Sequence, residues 1–244
     1  MRLKDKVAII TGAGAGIGEA IAVRFAEEGA QLVLNDLHDS PSLRTSAAVV
    51  IGDIAREEVG RELAQRAMEK FGRIDIVVNN AADFTQKSVT DAEIADWRKV
   101  LDVNVIGTAL VSKFAIPHMR ERGGSIVNIA SMSGVIAQHN FATYGASKGA
   151  VIHMTKCMAM DLAQWKIRVN AVCPGVTVTS ASYREVERLG MTFEQWSGEL
   201  APLHMLNRLG EVREIADPVV FLASEEASFM TGAVLMVDGG YSAR

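Results

Sequence analysis

The sequence is poor in the residues that most often bind metals or form disulfide frameworks. Its 244 residues include only two cysteines, Cys157 and Cys173, and five dispersed histidines. Neither set has the spacing of a metal site, so no metal is expected. The cysteines are predicted to be buried thiols in a reducing cytosol, with a redox role as the alternative.

An excess of charge of one sign is also lacking. The chain carries 25 lysines and arginines against 29 acidic residues, a net charge of −4, and its basic residues are scattered. A nucleic-acid interface would need a basic cluster, so no nucleic-acid partner is expected. No linker, low-complexity segment or fixed repeat divides the chain, which predicts one domain over residues 1–244.

Long hydrophobic runs are the third absence. No run of apolar letters approaches the length of a membrane span. The opening residues MRLKDKVAII contain too few apolar residues for a signal sequence. We therefore expect a soluble, cytoplasmic protein without a membrane partner.

Short apolar runs, by contrast, alternate with helical patterns along the whole chain. This alternation predicts an α/β fold in which helices cover both faces of a mostly parallel, doubly wound sheet of seven strands. The most conspicuous motifs lie at the carboxyl ends of the strands, where such sheets bind ligands. The strands are expected near residues 7–11, 31–36, 47–51, 74–79, 125–129, 168–173 and 233–237.

A glycine-rich turn follows the first strand. Residues 6–18 read KVAIITGAGAGIG and lead into a helical pattern. Gly12, Gly16 and Gly18 allow positive φ and close approach of the backbone to a phosphate, and the helix N-terminus supplies N–H donors. The motif predicts a site for the pyrophosphate of a dinucleotide, although any tight turn from strand to helix needs glycine.

An acidic residue, Asp36, ends the second strand. A carboxylate at this position can accept hydrogen bonds from both ribose hydroxyls of adenosine and would repel a 2′-phosphate. Ala13, Ala15 and Leu37 provide no cation for such a phosphate. The sequence therefore favours NAD over NADP, and the alternative is an aspartate that serves as a turn or cap.

A tyrosine and a lysine form the second motif. Tyr144 and Lys148 lie at the start of a helical pattern. Because they are four residues apart, they share one helix face. Ser131 lies upstream, just after an apolar run. An ammonium about 4 Å from a phenolate contributes roughly 4 kcal/mol at an effective dielectric constant near 20. The pKa of Tyr144 is therefore expected near neutrality, where a general acid or base works best. A surface tyrosine and lysine are the alternative for this pattern alone.

In combination these motifs resemble those of the short-chain dehydrogenases/reductases, and the resemblance covers essentially the whole chain. The family's TGxxxGxG, NNAG, PG and VDGG segments are matched at residues 11–18, 79–82, 174–179 and 237–240. The resemblance implies a Rossmann-type fold and an NAD-dependent oxidoreductase acting on CH–OH groups.

The resemblance also implies a role for each matched residue. Tyr144 would exchange the proton of the substrate hydroxyl, and Ser131 would hold and polarise the same oxygen. Lys148 would lower the pKa of Tyr144 and bind the nicotinamide ribose, and Asn104 would place a water that links Lys148 to solvent. The implied cofactor residues are Gly12, Gly16, Ile17, Gly18, Asp36, Leu37, Asp53, Ile54, Asn80, Tyr144, Lys148, Pro174, Gly175, Thr177 and Thr179.

The sequence departs from the family pattern at three places. Ala82 replaces the last glycine of NNAG, and Thr177 stands where an aliphatic residue is usual. Only ten residues separate Asp36 from the strand expected at Ala47, too few for a normal crossover helix. The sequence therefore does not predict the structure at the edge of the adenosine pocket.

Substrate identity should depend on residues 179–210, where the family has a variable lid. This segment is rich in apolar residues, which suits either a ligand pocket or an ordinary amphipathic helix pair. The candidate substrate residues are Ser131, His139, Tyr183 and Trp196, and Asp83 is a further candidate pocket contact. For His139 the sequence favours a solvated loop residue over a substrate contact. The sequence does not choose among a sugar, a cyclic diol, a steroid and a small secondary alcohol.

Three functional hypotheses follow. The first is an NAD-dependent dehydrogenase that interconverts a secondary alcohol and a ketone. The second is a carbonyl reductase of the 3-oxoacyl-thioester type, which would prefer NADPH and need a basic patch for its carrier protein. The third is a non-catalytic NAD-binding sensor, against which the intact set of four catalytic residues argues. The stretches 91–119 and 143–165 resemble the family's assembly helices, so a homotetramer is expected, and a dimer next.

Overall fold

The computed structural model describes residues 1–41 and 48–244. The strands are β1 (Val7–Thr11), β2 (Gln31–Asp36), β3 (Ala48–Ile51), β4 (Ile76–Asn79), β5 (Gly124–Ile129), β6 (Ile167–Pro174), β7 (Thr177–Val178), β8 (Gly210–Glu211) and β9 (Val234–Val237). Seven of them form one parallel sheet in the order β3-β2-β1-β4-β5-β6-β9. The predicted Rossmann-type, doubly wound sheet is confirmed.

Small differences concern the ends of the strands. The fourth strand begins at Ile76 rather than at residue 74, and Ala47, expected in the third strand, lies outside the described residues. The short parallel pair of β7 and β8 was not predicted. Two-residue strands carry no periodic signal, so sequence reasoning had nothing to detect there.

Helices cover both faces of the sheet. They are α1 (Gly16–Glu27), α2 (Glu57–Phe71), α3 (Ile94–Leu101), α4 (Thr108–Met119), α5 (Ala142–Leu162), α6 (Ser180–Leu189), α7 (Phe193–Leu200) and α8 (Val212–Ala223). On one face α1 packs against α8, and on the other α2 packs against α4 beside α5. The central strands β1, β4, β5 and β6 are buried on both sides, which is why their sequences are nearly continuous apolar runs instead of alternating ones.

Strand β1 illustrates how one strand serves both cores. All five of its residues are buried. Ala8 and Ile10 point to the layer of α1 and α8, whereas Val7 and Ile9 point to the layer of α2 and α4. Because β1 ends at Thr11 in a parallel sheet, the glycine turn that follows it lies at the carboxyl edge of the sheet.

The helix that runs through α3 and α4 corrects one expectation. A π-helical turn, Asp102–Gly107, joins the two into a continuous helix over Ile94–Met119. By length and composition alone this helix is long and apolar enough to cross a membrane, so the statement that no run approaches that length was wrong. Part of its apolar character serves the protein core, where Val111, Ala115 and Met119 are buried.

The two cysteines also differ from each other. Cys173 in β6 is buried, but Cys157 is exposed, so the prediction of two buried thiols was wrong for Cys157. Cys157 lies on an outward side of α5, a helix that is apolar on more than its core face and also exposes Met160. Among the described residues no three His, Cys, Asp or Glu side chains are grouped to hold a metal ion.

Candidate active site

The glycine turn after β1 is too tight for larger residues. Gly12 and Gly16 adopt φ angles of +63° and +61°. A Cβ atom on Gly18 would lie 1.9 Å from the carbonyl oxygen of Gly12. The turn therefore brings backbone N–H groups and the N-terminus of α1 together without intervening side chains, as a phosphate site requires. Ile17, at the start of α1, packs against the core instead.

Asn80 holds this turn in place. Its side-chain amide donates to the carbonyl oxygens of Thr11 at 3.1 Å and Gly12 at 3.0 Å. The hydroxyl of Thr11 in turn accepts the backbone N–H groups of Asn80 and Ala81. Asn80 lines the predicted cofactor cleft, but its amide donors are engaged with the turn, which makes it a support of the site.

A cleft of about 480 Å³ opens beside the turn and collects most of the residues predicted for the adenosine half of a dinucleotide. One oxygen of Asp36 accepts the backbone N–H of Gly14 at 2.8 Å, and the other accepts that of His38 at 3.3 Å. The cleft is lined by Gly12, Ala15, Asn35, Asp36, Leu37, Gly52, Asp53, Ile54, Asn80, Ala81, Ala82, Asp83, Lys99 and Val103. The segment between Asp36 and β3, which the sequence did not assign, includes residues 42–47, and these lie outside the described residues.

Lys99 is the cation among the described lining residues, and it is paired. Its ammonium lies 2.7 Å from a carboxylate oxygen of Asp83. Burial acts to raise the pKa of Asp83, but hydrogen bonds from Lys99 and Thr85 hold it below its usual value. The Asp83 carboxylate is therefore ionised and occupied near neutral pH, which limits its use as a pocket contact.

The segment after β6 lies against the glycine turn. Gly175 donates its N–H to Val237 at 3.0 Å, and the hydroxyl of Thr177 donates to Gly175 at 3.2 Å. A Cβ atom built on Gly16 would lie 3.4 Å from the methyl group of Thr179. The predicted segment 174–179 thus meets the glycine turn at the carboxyl edge of the sheet.

The three residues predicted for proton transfer lie together and are nearly buried. Ser131 follows β5, and Tyr144 and Lys148 lie one turn apart in α5. Tyr144 and Lys148 are only 8% and 3% exposed. The ammonium nitrogen of Lys148 is 5.6 Å from the centre of the Tyr144 ring and donates to Ile129 at 2.7 Å.

The electrostatics of this cluster correct the expectation for Tyr144. Burial raises the pKa of its hydroxyl above the usual value, and a hydrogen bond with Ser131 offsets only part of that rise. Burial also lowers the pKa of Lys148 to about 8. The expected pKa of Tyr144 near neutrality was therefore wrong for the protein itself, because desolvation outweighs an ammonium that is directed toward Ile129.

Cys173 is a further titratable group in this cluster. Burial raises the pKa of its thiol to about 11, although the N–H of Ser131 and the charge of Lys148 act to lower it. The thiol is therefore neutral near neutral pH and behaves as part of the packing around Ser131.

Asn104 connects the π-helical turn to the rest of the site. Its amide nitrogen donates to Asp83 at 3.0 Å and to the hydroxyl of Ser147 at 2.9 Å, and its amide oxygen accepts the N–H of Asp83 at 2.7 Å. Both ends of the side chain are thus engaged. Its backbone carbonyl accepts the hydroxyl of Thr108 at 2.9 Å, which ties the π-helical turn to the first residue of α4.

Comparison with known proteins agrees with this architecture. A family model described as enoyl-(acyl carrier protein) reductase matches residues 12–242. The chain belongs to the short-chain dehydrogenase/reductase family. It is accordingly an oxidoreductase that acts on CH–OH groups and uses a nicotinamide cofactor.

Relatives within this family differ in substrate. The chain is 38% identical over 250 residues to meso-2,3-butanediol dehydrogenase of Serratia marcescens, covering 100% of this chain and 97% of that protein. It is 37% identical over 251 residues to a 3-oxoacyl-acyl-carrier-protein reductase of Thermotoga maritima, covering 98% and 99%. The ligand-free aldohexose dehydrogenase of Thermoplasma acidophilum superposes with a TM-score of 0.93 at 38% identity over 99% and 96% of the two chains. Similarity alone therefore does not select a substrate.

Two aromatic residues surround the catalytic tyrosine of the family and were missed from sequence. The ring of Phe84 meets Tyr144 edge to face at 4.6 Å, and Phe141 packs on both at 6.0 and 6.2 Å. Phe84 is 61% exposed, which is unusual for a phenylalanine. Its place just after the NNAA segment, at the carboxyl end of β4, was the available signal. We call these two residues the aromatic rim.

The other predicted substrate residues lie elsewhere. Tyr183 stacks on Phe193 at 5.1 Å, and Phe193 packs on Trp196 at 5.8 Å, which ties α6 to α7. His139 lines a cleft on the loop before α5. Among the contacts of the described residues, none joins Tyr183, Trp196 or His139 to Tyr144. Residues 179–210 do contain the helix pair that was one of the two interpretations.

Buried amides that were not predicted hold α5 on the sheet. Asn79 donates to Asn128 at 2.8 Å and to Ser112 at 3.1 Å. Asn128 donates in turn to the hydroxyl of Thr155 at 2.9 Å. These bonds connect β4, β5, α4 and α5, so they fix the helix that carries Tyr144 and Lys148 relative to the strand that precedes Ser131.

Proposed function

We propose that the protein is an NAD(H)-dependent oxidoreductase that interconverts a secondary alcohol and its ketone, with Tyr144 as general acid and base. The observation that carries this proposal is the cluster of three buried side chains, in which Ser131 is near enough to Tyr144 to act on its pKa and Lys148 lies one helical turn from Tyr144. Two hydroxyls that converge in this way can hold one substrate oxygen and exchange a proton with it.

The residues present fit a dinucleotide. A Cβ atom on Gly12 or Gly18 would clash with the turn and the residues beside it, so the turn keeps a bare backbone whose N–H groups, with the α1 N-terminus, suit a pyrophosphate. The Asp36 carboxylate supports NAD over NADP, since a 2′-phosphate beside it would be repelled and the Lys99 cation is already paired with Asp83. Gly175, Thr177 and Thr179 would hold the nicotinamide end. When bound, the nicotinamide supplies the hydride chemistry of the reaction.

The proton chemistry belongs to the protein. Burial keeps the Tyr144 hydroxyl protonated, which is the form that protonates a ketone oxygen during reduction. Alcohol oxidation requires the opposite form. With a pKa of about 8, Lys148 is charged near neutral pH. Its ammonium, one helical turn from Tyr144, can stabilise a Tyr144 phenolate. Asn104 and the buried amides keep these groups at fixed separations.

The aromatic rim supports a substrate with an apolar carbon skeleton. Phe84 and Phe141 offer ring surface beside the Tyr144 ring and no hydrogen-bonding groups. Sugars need several polar partners for their hydroxyls. We therefore propose a small cyclic or aliphatic secondary alcohol as the substrate class.

Nicotinamide absorbance tests the proposal directly. The purified protein is assayed with NAD and with NADP against cyclic diols, aliphatic secondary alcohols and sugars, and in reverse with ketones and a 3-oxoacyl thioester. We expect NAD-dependent turnover of an apolar alcohol that is lost in Tyr144→Phe. Faster reduction of the thioester with NADPH would favour the carbonyl reductase instead. Tight NADH binding without any turnover would favour the sensor.

We also propose a homotetramer. The outer sides of the assembly helices expose large apolar residues, among them Ile94 and Ile106 on the α3–α4 helix and Met160 on α5. Such residues spread over two helices fit contacts with further copies of the chain.

A further inference from the structure

A chain of polar groups leads from Ser131 away from Tyr144. The Ser131 hydroxyl accepts the N–H of Ser133 at 3.1 Å and donates to the Ser133 hydroxyl at 3.2 Å. The Ser133 hydroxyl donates to the side-chain carbonyl oxygen of Gln138 at 2.5 Å. Ser131 and Ser133 are buried, and Gln138 is half-buried in the loop before α5. The proposed proton transfer uses Ser131 but has no role for the other two.

The direction of the bonds in this chain follows from counting protons. A carbonyl oxygen can only accept, so the Ser133 proton is committed to Gln138. The hydroxyl oxygen of Ser133 is then an acceptor for the single proton of Ser131. Ser131 retains one lone pair for the substrate. In this arrangement Ser131 has no proton to donate to a substrate oxygen.

Rotation of the Gln138 amide reverses both bonds that involve the Ser133 hydroxyl, while the backbone N–H of Ser133 still donates to Ser131. With the amide nitrogen toward Ser133, Gln138 donates, the Ser133 proton turns to Ser131, and the Ser131 proton is released toward the substrate. The amide nitrogen of Gln138 has no partner among the described residues, so the rotation breaks no further bond there. A negatively charged oxygen developing on the substrate needs this second arrangement, because it must be stabilised by a donor.

We propose that Gln138 is a positioning residue whose amide orientation decides, through Ser133, whether Ser131 offers the substrate oxygen a proton or a lone pair. This inference rests on the proposed function, in which Ser131 holds the substrate oxygen. Gln138 itself need not touch the substrate.

The test compares two replacements of similar size. An ionised glutamate at position 138 only accepts, so Gln138→Glu holds Ser131 in the arrangement without a free proton. We expect kcat/KM to fall about 100-fold, the effect of losing one donor to a developing oxyanion. Gln138→Met imposes no direction, so Ser133 is free to donate to Ser131, and kcat/KM is expected within about threefold of the unmodified protein. Equal losses in both variants would overturn the proposal.

A double variant separates action through Ser133 from direct contact with substrate. Ser133→Ala removes the link, so the glutamate can no longer act on Ser131. The variant that combines Ser133→Ala with Gln138→Glu should match Ser133→Ala alone, and the 100-fold loss should disappear. If the loss persists in the double variant, Gln138 acts directly and the inference is wrong.

The pH profile provides a readout that a merely structural role would not change. A protonated glutamate can donate, so the loss in Gln138→Glu should shrink as the pH falls from about 8 toward about 5. Gln31→Glu, at the opposite edge of the sheet, controls for the added charge and should follow the unmodified protein. A loss independent of pH would contradict the inference.

Failure of the proposed function would appear separately, as turnover that survives in Tyr144→Phe or as no turnover by the unmodified protein. Either result would overturn both the proposed function and the inference.

Discussion

The ammonium group of Lys148 donates a hydrogen bond to the carbonyl oxygen of Ile129 at 2.7 Å. This bond ties α5 to the last residue of β5 and keeps a lysine that is 3% exposed in the interior. Burial lowers the pKa of Lys148 to about 8, below its usual value near 10.5. The charged form of Lys148 therefore reduces the free energy of unfolding of the protein.

We expect Lys148→Met to stabilise the protein and abolish its activity. An unfolded lysine keeps its proton up to about pH 10.5, so between about pH 8 and 10.5 the unfolded chain binds more protons and the stability of the unmodified protein rises with pH. After allowance for the lost bond to Ile129, the variant should gain about 2 kcal/mol in free energy of unfolding at pH 7, and the gain should shrink as the pH rises.

Urea unfolding at neutral and at alkaline pH measures this difference. Lys156→Met, which replaces an exposed lysine of the same helix, should change neither stability nor its pH dependence. A difference between Lys148→Met and the unmodified protein that stays constant with pH would contradict the argument.

Cofactor preference should depend on Asp36. Replacement of its carboxylate in Asp36→Ser, together with Leu37→Arg, removes the repulsion of a 2′-phosphate and adds a cation for it. We expect kcat/KM with NAD to fall at least about tenfold, with a rise for NADP. The steady-state kinetics of both cofactors measure the change, and Asp161→Ser on the surface of α5 is the control. Unchanged preference would show that Asp36 serves only the Gly14 turn.

The aromatic rim should affect substrate binding more than folding. Phe84→Ala removes a ring that is largely exposed, so the free energy of unfolding should change by less than about 1 kcal/mol. The KM for an apolar alcohol should rise about tenfold, since the ring surface beside Tyr144 is lost. Phe229→Ala, at a fully exposed phenylalanine, is the matched control. An unchanged KM would argue for a polar substrate.

Assembly can be tested at Met160, which is 85% exposed on α5. We expect the unmodified protein to scatter light as a tetramer at micromolar concentration. Met160→Glu places a charge in the proposed contact and should shift the protein to a smaller species. A monomer for the unmodified protein would refute the tetramer.

Sequence reasoning succeeded where one local pattern determines the structure. The apolar runs are buried on both faces of a parallel sheet, so six of the seven predicted strands appear close to their expected bounds and the seventh extends over Ala48–Ile51. Glycines 12, 16 and 18 mark a turn that only glycine fits, and Asp36 ends β2 beside it. Tyr144 and Lys148 lie on one helix face because of the helical period.

It failed where the outcome depends on distant partners. The pKa of Tyr144 depends on burial by segments far away in sequence, and that effect is opposite to the one expected from Lys148 alone. Phe84 reaches Tyr144 across 60 positions of sequence, a contact without periodic signature. Tyr183 stays a candidate substrate residue, but the stacking of its ring on Phe193 within the helix pair was not predicted.

The π-helical turn Asp102–Gly107 has a consequence for the whole helix in which it lies. A turn that accommodates one additional residue shifts the angular phase of everything beyond it by about 100° relative to an uninterrupted α-helix. The segments on either side therefore present their apolar stripes in different directions, α3 toward α5 and α4 toward α2. Deletion of a single residue there would rotate α4 by about 100° relative to α3, so α4 would turn its present apolar face away from α2 whenever α3 stays on α5.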